Sequence, residues 1–258
     1  MAVPTEPLVR GSDDRGIRTL TLDSPHNRNA LSARLRVDLA DALAAAVADP
    51  DVRAVLIDAA GPAFCAGADL KEIAAGGLSA DPAAPGMPDL FSAIMDAPKP
   101  VVARVDGPAR AGGIGLVAAA DIALAAETAT FAFTEVRIGV VPAVISVPVA
   151  RRMHDRQLSR YFLTGETFDA GEAERSGLIT RAVPESGLGA AVDAVLDGLR
   201  AGAPRALART KTLINGGFRE RKAAFADMGA LSAEFFGSDD AAEGRAAFLE
   251  RRRARWVL

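Results

Sequence analysis

Apolar residues recur along this chain with two different periods, and the switching between them predicts a mixed α/β body. Leu8–Arg10 and Ile17–Leu22 flank the polar stretch GSDDRG and read as a β-hairpin. Leu31, Leu35, Leu39, Leu43 and Val47 follow at helical spacing, so a helix is predicted from Ser32 until Asp49 and Pro50 stop it. RAVLIDA is the next strand, and the loop AGPAFCAGAD leads into a helix beginning near Leu70. The same order returns as strand KPVVARVDG, glycine loop PARAGGIG and helix LVAAAD, with further strands around IALAAE and TFAFTE. From Ala143 onward the pattern becomes helical, and DAGE (Asp169 to Glu172) and DAAE (Asp240 to Glu243) have capping-box spacing. Between the two glycine loops, residues 74–89 carry neither period and read as a mobile surface loop or lid within one domain.

Gly112, Gly113 and Gly115 fall within four positions at the opening of a helix. Glycine permits close backbone approach, so such a cluster can present free N–H groups to a phosphate, a nucleotide or a developing oxyanion. The dinucleotide fingerprint needs G-x-G-x-x-G, which this loop lacks, and the phosphate-binding G-x-x-x-x-G-K-[ST] is absent as well. The plainer reading, glycines tightening a strand-to-helix turn, is weakened by the like placement of CAGAD before the preceding helix.

Composition narrows the function classes. The 258 residues are 50% hydrophobic, enough for a substantial core, and 30 basic against 33 acidic side chains leave a net charge of -3. That balance offers no electrostatic footprint for nucleic acid or an anionic membrane, apart from the basic ERRRARW near the C-terminus. One Cys excludes an internal disulfide, and two His leave little for a metal site. No signal pattern and no long apolar run is present, so a cytoplasmic, membrane-free protein is expected.

Six ordered segments, HNRNALS, FCAGADLKE, KPVVARVDGPARAGGIGLVAAADIALA, FAFTEVRIGVVPA, LTGETFDAGEAERSGLITRAV and EGRAAFLERR, resemble the enoyl-CoA hydratase/isomerase, or crotonase, superfamily. The resemblance implies an α/β fold, a spiral of ββα units with a C-terminal helical trimerisation region. It divides the chain into an acyl-CoA-binding core over residues 1–190 and a helical oligomerisation region over 191–258. It further implies an acyl-CoA thioester as substrate, with no separate cofactor, and assembly as a homotrimer or a dimer of trimers. FAFTEVRIGVVPAVIS with RYFLTGETFDAGEA is most similar to the branch that contains methylglutaconyl-CoA hydratases.

Carried onto this chain, the family pattern makes the N–H groups of Ala68 and Gly112 the donors to the thioester oxygen and Glu135, in TEVRIG, a catalytic carboxylate. Donors aimed at a developing oxyanion stabilise the transition state more than the ground state. Arg28, Ala30, Ala66, Asp69, Leu70, Lys71, Gly113, Gly115 and Pro142 are implied to contact substrate or CoA. Arg251, Arg252 and Arg253 could reach the CoA of a neighbouring subunit or form a solvated helix face. Classical hydratases of the family carry a first Glu where this chain has Gly115, so Gly115→Glu would restore a second carboxylate if the pocket has room. A lone Glu at a strand end is ordinarily a surface carboxylate; the motif match gives Glu135 its role. Three readings follow: a hydratase using Glu135 alone, an isomerase moving a proton between C2 and C4 with the same residue, and a non-catalytic acyl-CoA binder. Cys65 reads as a small residue filling the loop rather than a nucleophile, because no His is near it in sequence. His26 is placed at a turn and His154 on a helix surface.

Overall fold

The computed structural model describes residues 6–76, 84–215 and 218–255. Strands β1 (Val9–Asp14) and β2 (Ile17–Leu22) pair antiparallel with Asp14 opposite Ile17, so the hairpin turn is Arg15–Gly16 alone and not the whole of GSDDRG. Both turn residues have positive φ, 45° and 80°, as a two-residue turn matched to strand twist requires. The polar run was misread because β1 is an edge strand whose residues after Val9 are exposed. Helix α1 (Ala33–Ala48) follows as expected, with Ser32 Oγ accepting the Leu35 N–H at 3.3 Å and Leu35, Leu39 and Leu43 buried along one face.

The chain continues through β3 (Ala54–Ala59), α2 (Leu70–Gly76), α3 (Met87–Asp96), β4 (Val101–Val105), β5 (Ala109–Arg110), α4 (Gly112–Ala119), β6 (Ile122–Ala126) and β7 (Thr130–Ala132). A 3-10 turn (Glu135–Ile138) then leads to α5 (Ala143–Val149), α6 (Asp155–Thr164), β8 (Phe168–Asp169), α7 (Ala170–Arg175) and β9 (Arg181–Val183). Four helices finish it: α8 (Glu185–Ala201), α9 (Pro204–Asn215), α10 (Phe218–Phe236) and α11 (Asp239–Glu250).

Six strands form the main sheet in the order β1-β2-β3-β4-β6-β9, parallel after the first hairpin, while β5, β7 and β8 make a small second sheet. Strand in the large sheet, strand in the small sheet and then helix recurs as β4-β5-α4 and again from β6, which is the ββα spiral the resemblance implies. Alternation sorts the side chains: Val55, Ile57, Val101 and Ala103 face the core beneath α1, α3 and α4, whereas Ala54, Leu56 and Val102 face α8. Leu188, Val192 and Leu196 of α8 close that second face. The expected boundary at 190/191 therefore falls inside one helix that belongs to the sheet packing.

Several expectations are corrected. Helix α4 begins at Gly112 rather than Leu116, so the glycines are its first turn. Residues 87–89 open α3 instead of continuing a loop, and 77–83 of the expected lid lie outside the described residues. The helical reading from Ala143 missed β8 and β9, each three residues or shorter and too brief to show a period. Asp169 does cap α7, accepting the Glu172 N–H at 2.7 Å, but α11 is capped by Ser238, two residues before the expected Asp240.

Helix α9 is pinned by two buried polar side chains. Lys211 Nζ donates to the carbonyls of Ile94 at 2.8 Å and Lys99 at 3.1 Å and pairs with Asp121 at 2.8 Å, and Asn215 Nδ2 donates to Met95 O at 2.8 Å. The bonds to Ile94 O and Met95 O satisfy carbonyls at the C-terminal end of α3, which an isolated helix leaves bare. Helix α11 seats on the 3-10 turn through two glycines. A Cβ at Gly244 would lie 2.7 Å from Ile138 Cα, and one at Gly139, where φ is 73°, would lie 2.9 Å from Ala241 N. Gly244→Ala should therefore cost about 1–3 kcal/mol of unfolding free energy in urea titrations, since backbone and not a flexible side chain blocks the methyl. A wild-type midpoint would refute this seating.

Candidate active site

The segment 28–31 runs beside the first glycine-containing loop and fixes its shape. Arg28 O accepts the Ala66 N–H at 3.0 Å, the Leu31 N–H donates to Gly67 O at 2.7 Å, and Leu31 bridges Ala68 in parallel. Asn29, buried and at φ 55°, ties the base of the loop: its Nδ2 donates to Ala60 O and Ala63 O, both at 2.9 Å, and its Oδ1 accepts the Ser24 N–H at 2.7 Å. The HNRN stretch is thus a structural clamp on this loop.

The second loop reaches the same place. Gly67, at φ 87°, lies so close to it that a Cβ there would come within 3.3 Å of Gly112 N. Ala111, the residue before α4, has φ 46° and ψ -119°, a region that costs a non-glycine residue about 1–3 kcal/mol and that nothing in the sequence pattern marks. Its N–H is held by Ala132 O at 3.1 Å. The Gly112 N–H, at the first position of a helix, has no intrahelical acceptor, and neither it nor the Ala68 N–H donates to a partner among the described residues.

Both residues line a cavity of about 360 Å³, walled by α2, the start of α3, the 3-10 turn, α5 and α10. Of the residues singled out in the sequence, Ala66, Ala68, Asp69, Leu70, Gly112, Glu135 and Pro142 line it together. Arg28, Ala30, Lys71, Gly113 and Gly115 do not. Arg28 and Lys71 are exposed, and Ala30 is buried behind the wall. Gly113 abuts Cys65, and the buried thiol is pushed up to about 12 by desolvation, which leaves it inert at neutral pH. His26 and His154 are exposed, at a turn and before α6 respectively. Arg252 is held by Glu243 at 2.7 Å and Glu250 at 2.6 Å within its own chain.

Gly115 overturns one expectation outright. A Cβ there would press into the ring of Phe91, with Cε2 at 2.8 Å, and Phe91 is fully buried on α3. The space into which a glutamate at this position would have to project is filled by an aromatic ring, so Gly115→Glu does not simply restore a carboxylate.

Three carboxylates reach the cavity, and two are occupied. Asp69 Oδ1 accepts the N–H groups of Lys71 and Glu72 at 3.0 and 3.2 Å, and its Oδ2 accepts from Asn27 at 3.2 Å. Glu72 Oε2 accepts the Ala33 N–H at 2.8 Å, capping α1. Glu135 differs. It is 8% exposed, it opens a 3-10 turn rather than ending a strand, and its Oε2 has no hydrogen-bond partner among the described residues. Desolvation raises it from 4.5 to about 7, with a backbone hydrogen bond opposing weakly. The turn is held firmly: Glu135 O accepts from Val140 N at 3.1 Å, Arg137 Nε donates to Thr164 O at 3.1 Å, and Phe133 packs edge-on against Phe162 with centroids 4.6 Å apart.

Arg36, Met87, Thr134, Ser232 and Phe236 also line the cavity and were not singled out in the sequence. Gly229, Ser232, Ala233 and Phe236 share one face of α10, where their spacing is indistinguishable from ordinary helix packing. No sequence signal separates a helix that walls a cavity from one that packs on a core.

Residues 12–257 match the enoyl-CoA hydratase/isomerase family. A mevalonyl-coenzyme A hydratase of Aspergillus fumigatus is 30% identical over 269 residues, covering 99% of this chain and 98% of that protein. The mitochondrial enoyl-CoA hydratase domain-containing protein 3 of Danio rerio is 31% identical over 259 residues, covering 99% and 90%. The crystal structure of an enoyl-CoA hydratase from Mycobacterium avium superposes with a TM-score of 0.87 at 40% identity, covering 98% of this chain and all of that one. The fold is the crotonase fold, and the chain is an enzyme that belongs to the enoyl-CoA hydratase/isomerase family.

Proposed function

We propose that the protein hydrates the C2=C3 double bond of an enoyl-CoA thioester, with Glu135 as its single catalytic carboxylate and the Ala68 and Gly112 N–H groups as the oxyanion donors. The observation that carries this reading is one buried carboxylate with an unpartnered oxygen, Glu135 Oε2, in the same cavity as two unpaired amides. Water bound at Glu135 gives a proton to the carboxylate as its oxygen bonds to C3, and the π electrons move through C2 onto the thioester oxygen. The enolate is held by the two amides until Glu135 returns the proton to C2. Fixed donors of this kind contribute about 3–4 kcal/mol each to the transition state. A branched acyl group is the substrate we favour, because the residues lining the cavity are largely apolar; the methylglutaconyl-like alternative, which carries a second carboxylate, rests on the sequence resemblance alone.

The same lone carboxylate also supports a second reading, isomerisation by proton transfer between C2 and C4. Product analysis by NMR across short, branched, dicarboxylic and long enoyl-CoAs separates them: 3-hydroxyacyl-CoA supports hydration, and a shifted double bond without oxygen incorporation replaces it. We further propose self-association as a homotrimer or a dimer of trimers in the cytoplasm, supported by the exposed Leu213 and Ile214 on α9 and Phe248 and Leu249 on α11. No helix among the described residues is long and apolar enough to cross a membrane. Sedimentation at micromolar concentration should give a trimer or hexamer, and a monomer would refute the assembly.

Glu135→Gln keeps shape and hydrogen bonding but not the base, so kcat should fall by about 10²–10⁴ while acyl-CoA binding persists. In the wild type kcat/KM should drop on acidification through a pH of about 7, as the carboxylate takes up its proton. A pH-independent rate across that range, or wild-type turnover by the Gln variant, would refute the single-base mechanism.

The same shift predicts a stability effect of opposite sense. The folded-state value of about 7 lies above the ordinary 4.5, so the native state binds more protons in that window and loses stability as pH rises through it. Glu135→Gln should therefore be more stable than wild type at pH 8, by about 3 kcal/mol, and no more stable at pH 4. Equal urea midpoints at pH 8 would show that the carboxylate is solvated.

A further inference from the structure

The guanidinium of Arg36 ties together two segments that neighbour the proposed oxyanion donors. Arg36 lies in the first turns of α1, only 8% exposed, and lines the cavity. Its Nη1–H donates to Leu31 O and its Nε–H to Pro85 O, both at 2.9 Å. Leu31 is the residue that grips the first loop, through its 2.7 Å hydrogen bond to Gly67 O and its bridge to Ala68. Pro85 lies two residues before Met87, the first residue of α3. A Cβ on Gly112 would lie 3.1 Å from Leu31 Cδ1 and 3.0 Å from Met87 Cε, so these two side chains are the packing against Gly112.

One guanidinium therefore links the strand-like segment beside Ala68 to the chain entering the helix that packs on Gly112. The chemistry suits arginine. Its planar fork donates in two fixed directions to two carbonyls at once, whereas a lysine presents a compact point charge. We propose that Arg36 is a positioning residue for the thioester carbonyl site: by holding Leu31 and Pro85 it sets the spacing of the Ala68 and Gly112 amides. The proposal rests on the oxyanion-hole reading above. In that scheme Arg36 touches no reacting atom, and its loss falls on the transition state through displaced donors. A displacement of about 1 Å in such a site lowers turnover on the order of 100-fold.

Arg36→Lys and Arg36→Gln test this by steady-state kinetics on an enoyl-CoA that the wild type turns over, together with infrared difference spectra of a saturated acyl-CoA labelled with carbon-13 at the thioester carbonyl. The wild type should move the carbonyl stretch to lower frequency than in water. Both variants should lose most of that movement and about 10- to 100-fold in kcat, with KM within about threefold. Glu135→Gln should keep the frequency shift. If the Gln variant fails to fold, the Lys variant decides, since it keeps the charge and most of the volume. A wild type without any shift refutes the oxyanion-hole reading itself. A wild-type shift that survives in the variants with kcat unchanged, or full rescue of kcat by Lys, overturns the role of Arg36 alone.

Discussion

A buried carboxylate with one oxygen left without a partner among the described residues, inside a largely apolar cavity, is the constraint around which the rest of this structure is arranged. Glu135 is buried, one of its oxygens has no hydrogen-bond partner among the described residues, and it titrates near 7 because water has been removed from it. Such a group is costly to hold, and the fold supplies the holding from three sides. Phe133, two residues before it, packs on Phe162 and Phe168, Arg137 ties its turn to the end of α6, and α11 seats against the turn backbone through Gly139 and Gly244. The C-terminal helices are therefore part of the site's support.

The opposite wall meets a different requirement, the close approach of backbone to ligand. A Cβ at Gly67 would meet Ala111 Cβ at 2.9 Å and Gly112 N at 3.3 Å, one at Gly112 would press on Leu31 and Met87, and Ala111 is held at positive φ. Strain of this kind persists only where the surroundings over-determine it. Here they do: Asn29 clamps the base of the first loop, Ala132 O holds Ala111, and Arg36 ties Leu31 to Pro85. The proposed oxyanion donation would place its demand on geometry, and buried hydrogen bonds rather than apolar contacts supply directional restraint.

Phe91 links the two walls and narrows the chemistry. Its ring fills the space beside Gly115, and α3, which carries it, is pinned at its far end by Lys211 and Asn215. The absence of a carboxylate at position 115 is consequently built into the packing of α3 on α4 and is more than the change of one residue. Relatives of this one fold carry names for different substrates, a mevalonyl-coenzyme A hydratase among them, so the acyl group is a matter for the residues lining the cavity.

Much of this was legible in the chain itself. Leucine spacing and Ser32 determined α1, the repeated strand, glycine loop and helix determined a mixed α/β body, the ββα spiral came from the family resemblance, and the TEVRIG and AGGIG motifs pointed to Glu135 and Gly112, which line one cavity. These are local signals: periodicity, capping and short motifs depend on neighbours in sequence. What the sequence could not supply depends on residues far apart in it. β9 is too short to show alternation and joins the sheet only because β6 is beside it, and α10 looks like any amphipathic helix until it is seen walling the cavity. Arg36 has no motif and gains its place from carbonyls five and 49 positions away. The raised titration of Glu135 and the closure of Gly115 by Phe91 follow from burial and packing, which only the assembled tertiary structure decides.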